Sequence, residues 1–190
     1  MGGMEEILNL KFAWTILHLI GVAVGLGGAL FGDFLFFKAT KNGIVSATEF
    51  RTLHTASHFL VVGLVLLFVS GAGLFSLDSA KYLASTKFLS KMAIVAVIAI
   101  NGIIFHRHHF KTLRQLIGVS LRHSALFRRE SVGIFISGGI SVTSWLFALA
   151  LGSLQALPYS ILQILSVYLV VLVVGISAAL VLRVRFLAHK

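Results

Sequence analysis

The apolar residues of this chain are gathered in five long runs that short polar stretches separate. A helix needs about 20 mostly apolar residues to cross the hydrocarbon core of a bilayer. The five runs meet that length, and we predict transmembrane helices over residues 12–37, 53–75, 86–106, 132–154 and 159–182. The third run is long enough only when Thr86 and His106 are counted, and Pro158 indicates a helix boundary before the fifth.

The stretches between the runs contain no clear repeat, no low-complexity linker and no second domain. We therefore expect residues 1–190 to form one all-α integral membrane domain, with its five transmembrane helices packed as a bundle. Glu5 and Glu6 stand before the first run, where a signal peptide carries basic residues, and the run is too long for such a peptide. The first run is thus expected to be retained as a span.

The composition agrees with a lipid-embedded chain. Of the 190 residues, 58% are hydrophobic and only 12% are charged, about half the charged share of a soluble domain; the mean hydropathy is +1.00. A water-soluble fold of this length could not hide so much apolar surface. The absence of cysteine excludes disulfides, iron–sulfur clusters, a thiolate haem ligand and a cysteine nucleophile.

Basic residues are concentrated on one side of the predicted spans. Three cations, Lys11, Lys81 and Lys87, fall on the side of the N-terminus, and Lys91 lies inside a span. Short loops rich in Lys and Arg stay in the cytoplasm. This predicts a multi-pass membrane protein with the N-terminus outside and the C-terminus cytoplasmic. The other twelve cations are Lys38, Lys41, Arg51, Arg107, Lys111, Arg114, Arg122, Arg128, Arg129, Arg183, Arg185 and Lys190.

The formal net charge of +10 is thus interpreted as a topology signal and an attraction to anionic lipids at the cytoplasmic face. Binding to nucleic acid is the poorer explanation. The loop 108–130 predicts a basic amphipathic helix lying on the inner leaflet between spans three and four. Its apolar face holds Phe110, Leu113, Ile117 and Leu121, and its polar positions are Lys111, Arg114, Gln115 and Arg122.

Polar side chains inside the spans are the candidates for function, because ionisable groups are costly in a bilayer. With a rise of about 1.5 Å per residue, their depths form two layers. The outer layer, on the N-terminal side, holds His18 and Lys91. The inner layer holds Asp33, His58 and Asn101, with His54 and His106 at its rim.

His54 and His58 are four residues apart, so they share one helical face and form a candidate metal pair. The pair lacks the glutamate of the HExxH zinc motif. His18 and His58 are candidate haem or metal ligands, or simple interhelical hydrogen-bonding groups. Asp33 is expected to orient or charge-balance the inner histidines and Asn101 to bridge helices, both as second-shell groups. The stretch GLGG, residues 25–28, is interpreted as a helix-packing site.

Short patterns in the first three spans resemble a loose superfamily of small bacterial membrane proteins. They are WTILHLIGVAVGLGG in span one, LLFVSGAGLF in span two and KFLSKMAIVAVIAING in span three. The superfamily includes CopD-like copper-resistance proteins and HemJ-type membrane protoporphyrinogen oxidases. In the HemJ type a first-span histidine and a third-span lysine are associated with haem b and activity, and the resemblance maps these roles to His18 and Lys91.

Three functions stay open at this point. The first is a b-type haem protein, with His18, His58, Lys91, His54 and His106 as candidate haem contacts, that carries electrons or performs haem or porphyrin redox chemistry. The second is a CopD-like metal-handling or small-molecule transporter. The third is a structural subunit of a membrane complex, because the glycine- and serine-rich last two spans suit helix contacts within one chain, a homodimer or a larger assembly.

Overall fold

The structure, a computed structural model, describes residues 2–155 and 158–188, so that Lys190 of the cation count lies outside the described residues. The regular elements of the described residues are all helices, and these residues contain no β-strand. Five helices are long and apolar enough to cross a membrane, which confirms the five predicted spans. The elements in chain order are α1 (Gly2–Asn42), α2 (Ala47–Leu77), α3 (Ser79–Leu83), α4 (Thr86–Ile104), a π-helical turn (Phe105–His109), α5 (Phe110–Gln115), α6 (Ala125–Ser153) and α7 (Ile161–Ala188).

Serine caps fix where the long helices begin. Ser46 Oγ accepts a hydrogen bond from Glu49 N at 3.1 Å, and Glu49 Oε2 accepts one from Ser46 N at 2.9 Å, a capping box that starts α2. Ser85 and Ser124 cap α4 and α6 without a capping box, each side chain accepting a hydrogen bond from a backbone N–H at 3.2 Å. The helices therefore begin at capping residues, several positions before some of the predicted apolar runs.

Helices α1 and α2 pack against each other along small residues. A Cβ on Gly63 would overlap the backbone of Gly25, and one on Gly28 would lie 2.8 Å from Leu60 N. Further along, a Cβ on Gly73 would overlap the Trp14 ring. The paired numbers rise in α1 and fall in α2, so the two helices are antiparallel. The predicted packing role of GLGG is confirmed for Gly25 and Gly28.

Helix α6 packs between α4 and α7 and is hydrogen-bonded to both. Asn101 Nδ2 donates to Ser137 O at 3.0 Å, joining α4 to α6 in the interior. The Ser144 and Tyr168 hydroxyl groups lie 2.8 Å apart and join α6 to α7. These contacts place α6 at the centre, where it carries more buried residues than the other long helices.

The predicted basic amphipathic helix over the loop 108–130 is formed only in part. Helix α4 continues through the π-helical turn into α5, which ends at Gln115. Gly118 lies in the left-handed region with a φ of +76° and its N–H donates to Val45 O at 2.9 Å. Leu113 and Leu121 are buried within the protein. Leu113 and Leu121 thus pack into the core of the protein, and Gly118 turns the chain back.

Candidate functional site

A cavity of about 630 Å³ lies among α1, α2, α4, α6 and α7. Small-molecule sites commonly enclose about 300–1,000 Å³ and are mostly apolar with a few placed polar groups. This cavity has that character. Its larger side chains are Phe36, Phe37, Leu60, Ile98, Phe105, Phe110, Phe135 and Trp145.

Three polar side chains mark the interior of the cavity. Asp33 comes from α1, Asn101 from α4 and Trp145 from α6. Asn101 is satisfied by its bond to α6, but Asp33 Oδ2 and Trp145 Nε1 are buried without a hydrogen-bond partner. Asp33 Oδ1 lies against Gly138, since a Cβ there would be 3.4 Å away. Buried polar atoms are normally paired, so the cavity offers one unused acceptor and one unused donor to a ligand.

Three histidines gather beside the cavity, and we call His54, His58 and His106 the histidine cluster. The ring centroids lie 4.5 Å apart for His54 and His58, 5.8 Å for His54 and His106, and 6.4 Å for His58 and His106. His106 lines the cavity together with Arg107, and both belong to the π-helical turn. Such turns are frequent at functional sites.

The hydrogen bonding of His58 fixes which of its nitrogens is available. Its Nδ1 lies 2.8 Å from His54 O. A carbonyl only accepts, so Nδ1 carries the hydrogen and Nε2 keeps its lone pair. This is the arrangement that metal-binding imidazoles commonly have. Even so, within residues 2–155 and 158–188 no three histidine or acidic side chains are arranged to hold one metal ion.

The outer layer has a similar arrangement around His18. Its Nδ1 lies 3.0 Å from Ser70 Oγ, and that hydroxyl donates to Leu66 O at 2.6 Å. Ser70 must therefore accept from His18, which leaves Nε2 of His18 with its lone pair. Lys91 of α4 is close enough to interact electrostatically with His18. Its Nζ also lies 3.3 Å from the position of a Cβ on Gly152.

The structure thus brings His54 together with His58 and His106, and it places Asp33 and Asn101 in the lining of one cavity. His18 and Lys91 do not line the cavity. Asp33 makes no hydrogen bond to a histidine in the described part of the chain, so its predicted support of the inner histidines is not part of this geometry.

Sequence reasoning missed Ser70 and Trp145. Ser70 is fully buried, and the signal that could have identified it is a hydroxyl residue within an apolar run. Trp145 gave no signal, because only the structure shows that its ring faces the cavity and lies against Gly25. His109 was not among the predicted site residues, yet it is buried beside Gly133 with Nδ1 unpaired.

Comparison of the chain with family models, with curated proteins and with solved structures gave no match.

Proposed function

We propose that this chain is a b-type haem-binding protein of the bacterial inner membrane that serves electron transfer or haem and porphyrin redox chemistry. The observation that carries the proposal is the apolar cavity of about 630 Å³ with His106 at its edge and the other cluster histidines beside it. Bound haem would supply one-electron redox chemistry there.

The residues of the cavity fit the chemistry of the group. Haem iron accepts an imidazole, and His106 is the histidine that lines the cavity. Arg107, the next residue, is suited to a propionate carboxylate, and the aromatic walls suit the macrocycle. The unpaired Asp33 Oδ2 and Trp145 Nε1 are groups that a polar edge of the ligand would satisfy.

The outer layer offers a second location for haem in the same protein. His18 presents a lone pair at Nε2, and Lys91 lies nearby. The resemblance to HemJ-type oxidases supports this layer, whereas the cavity supports the inner one. We favour the inner layer because its cavity is large enough for a haem-sized ligand. A HemJ-type oxidase activity is expected only if the outer layer holds haem.

Haem titration of purified variants distinguishes the two layers. We expect His106→Ala to abolish or shift the Soret band, whereas His18→Ala leaves it unchanged. Gly102→Leu tests the cavity directly: Gly102 lines it and a Cβ there would come no closer than 4.0 Å to another residue. This variant should fold and lose haem, while Gly27→Leu, which points into open space, keeps it. If His18→Ala lost the Soret band and His106→Ala kept it, haem would be assigned to the outer layer.

A metal-handling protein is the second candidate, and the close approach of His54 and His58 favours it. Imidazole ligands suit zinc, copper(II) or nickel, whereas copper(I) prefers sulfur. The chain has no cysteine, and Met92 is its single methionine inside the predicted spans. Stoichiometric metal in a haem-free preparation, lost in His58→Ala, would support this candidate. A structural subunit would bind neither metal nor haem.

The membrane orientation is part of the proposal. The cation count supports a bundle whose N-terminus is outside and whose C-terminus is cytoplasmic. Because the chain lacks cysteine, single cysteines report sidedness without background. In intact cells a membrane-impermeant maleimide should label Ala84→Cys, before α4, and spare Val119→Cys, after α5. If only Val119→Cys were labelled, the orientation would be the reverse of the one proposed.

A further inference from the structure

Three arginines meet where the loop after α5, the start of α6 and the end of α7 come together. We call Arg122, Arg128 and Arg183 the arginine cluster. Arg128 Nε donates to Arg122 O at 3.1 Å, and Arg183 Nη2 donates to Arg128 O at 3.1 Å. Arg183 Nε also donates to Ser131 Oγ at 2.7 Å. The guanidinium carbon of Arg122 lies 5.3 Å from the ring centroid of Phe186. The fold therefore holds these side chains in place.

Among residues 2–155 and 158–188, no carboxylate forms an ion pair with the arginine cluster. The single ion pair within the described residues joins Arg129 and Glu130 at 3.6 Å. The recorded partners of the cluster are backbone carbonyls, a hydroxyl and an aromatic ring, and Arg122 Nε is buried with no hydrogen-bond partner. Guanidinium groups form their strongest hydrogen bonds with carboxylates and phosphates. Because Arg128 donates to the backbone of Arg122 and Arg183 donates to the backbone of Arg128, the three cations belong to one region, and we expect an anion to stabilise it.

The start of α6 adds to the positive potential at the same place. Ser124 Oγ accepts a hydrogen bond from Phe127 N. Other N–H groups of the first turn have no partner within the helix and can donate to a ligand. Helix N-termini favour anions, and phosphate in particular. The arginine cluster and the helix end are separate observations that point to the same ligand chemistry.

We propose that the arginine cluster binds the phosphate of an anionic phospholipid. Exposed apolar side chains lie on the same two helices: Leu126 is 37% exposed at the start of α6, and Val184 is 59% exposed near the end of α7. A lipid held by its phosphate would lay its acyl chains over this surface. Free inorganic phosphate would use the guanidinium groups but gain nothing from the apolar side chains.

Native mass spectrometry of the purified protein in neutral detergent tests the proposal without haem. The probes are phosphatidylglycerol, phosphatidylcholine and inorganic phosphate. The test variant is Arg122→Gln/Arg128→Gln. The control is Lys41→Gln/Arg51→Gln, which removes the same charge from exposed residues outside the cluster.

We expect the wild-type protein to prefer phosphatidylglycerol. The affinity should fall about fivefold for each arginine removed, taking roughly 1 kcal/mol for each basic residue. The control should lose less than about twofold. If the double variant unfolds, Arg128→Gln alone replaces it, because Arg128 is exposed. Equal losses in test and control, equal binding of phosphatidylcholine, or inorganic phosphate binding as tightly as the lipid would each overturn the proposal.

Discussion

Substitution of Gly63 by Ala tests the close contact between α1 and α2. A Cβ on Gly63 would overlap the N and Cα atoms of Gly25, and it would lie 2.9 Å from Gly21 O. All three obstacles are backbone atoms, so no side-chain rotation relieves the overlap. The two helices must separate locally, and this disturbs the neighbouring contact of Gly28 with α2.

The expected cost follows from the overlap. Overpacking a filled interface typically costs about 1–3 kcal/mol, and the backbone obstacles place Gly63→Ala towards the upper end. Gly71→Ala is the matched control in the same helix, because a Cβ there meets nothing within 4 Å. Alanine has the higher helix propensity by up to about 1 kcal/mol, so the control should be neutral or stabilising.

Thermal unfolding of both variants in mild detergent, followed by far-ultraviolet circular dichroism, measures the difference. A change of 1 kcal/mol shifts the Tm of a chain of this size by about 2–4 °C. Gly63→Ala should therefore unfold several degrees below the wild type, with Gly71→Ala at or above it. Equal Tm values for the two variants would refute the close helix contact.

Three further substitutions test single contacts by the same assay. Ser70→Ala removes the acceptor of His18 and should cost about 0.6–1.7 kcal/mol, the usual range for membrane hydrogen bonds; no loss would mean that the bond is not formed. Tyr168→Phe should cost a similar amount, and adding Ser144→Ala should cost little more, because both variants break one bond; additive losses would contradict this pairing. Lys87→Met removes the bonds to the last carbonyls of α6 and should lower the Tm by a few degrees, while an unchanged Tm would show that the cap contributes nothing.

The sequence predicted the number and type of helices because lipid imposes a simple rule. A chain in hydrocarbon must pair its backbone groups within each helix, which requires long apolar runs. The ends of the helices follow other physics. Ser46, Ser85 and Ser124 fix the starts of three helices through local hydrogen bonds. The length of an apolar run does not indicate where such caps lie.

Depth along the membrane could be predicted, whereas rotation about each helix axis could not. Counting residues placed His18 and Lys91 at a similar depth, and in the structure Lys91 lies within electrostatic range of His18. The same counting placed Asp33 beside His58, but Asp33 faces the cavity while His58 is exposed. The rotation of a helix depends on which neighbouring helix each of its faces packs against. Small residues such as Gly25, which contacts both α2 and α6, determine this packing.

The prediction of a helix over the loop between spans three and four was incorrect in part for a related reason. Its apolar spacing suits a helix at a membrane surface. However, Leu121 N bonds to Gly43 O at 2.8 Å, and Leu121 is buried in the core with Val45 and Phe127. Gly43 and Val45 are far from Leu121 in the chain, so the local spacing of apolar residues does not reveal these contacts.

The most direct test of haem binding is the absorption spectrum of the purified protein. The protein would be expressed in haem-replete cells, and oxidised and dithionite-reduced spectra would be recorded in mild detergent. The account predicts a Soret band and sharp α and β bands on reduction, lost in Gly102→Leu and kept in Gly27→Leu. A colourless protein that stays colourless when titrated with haem would contradict it.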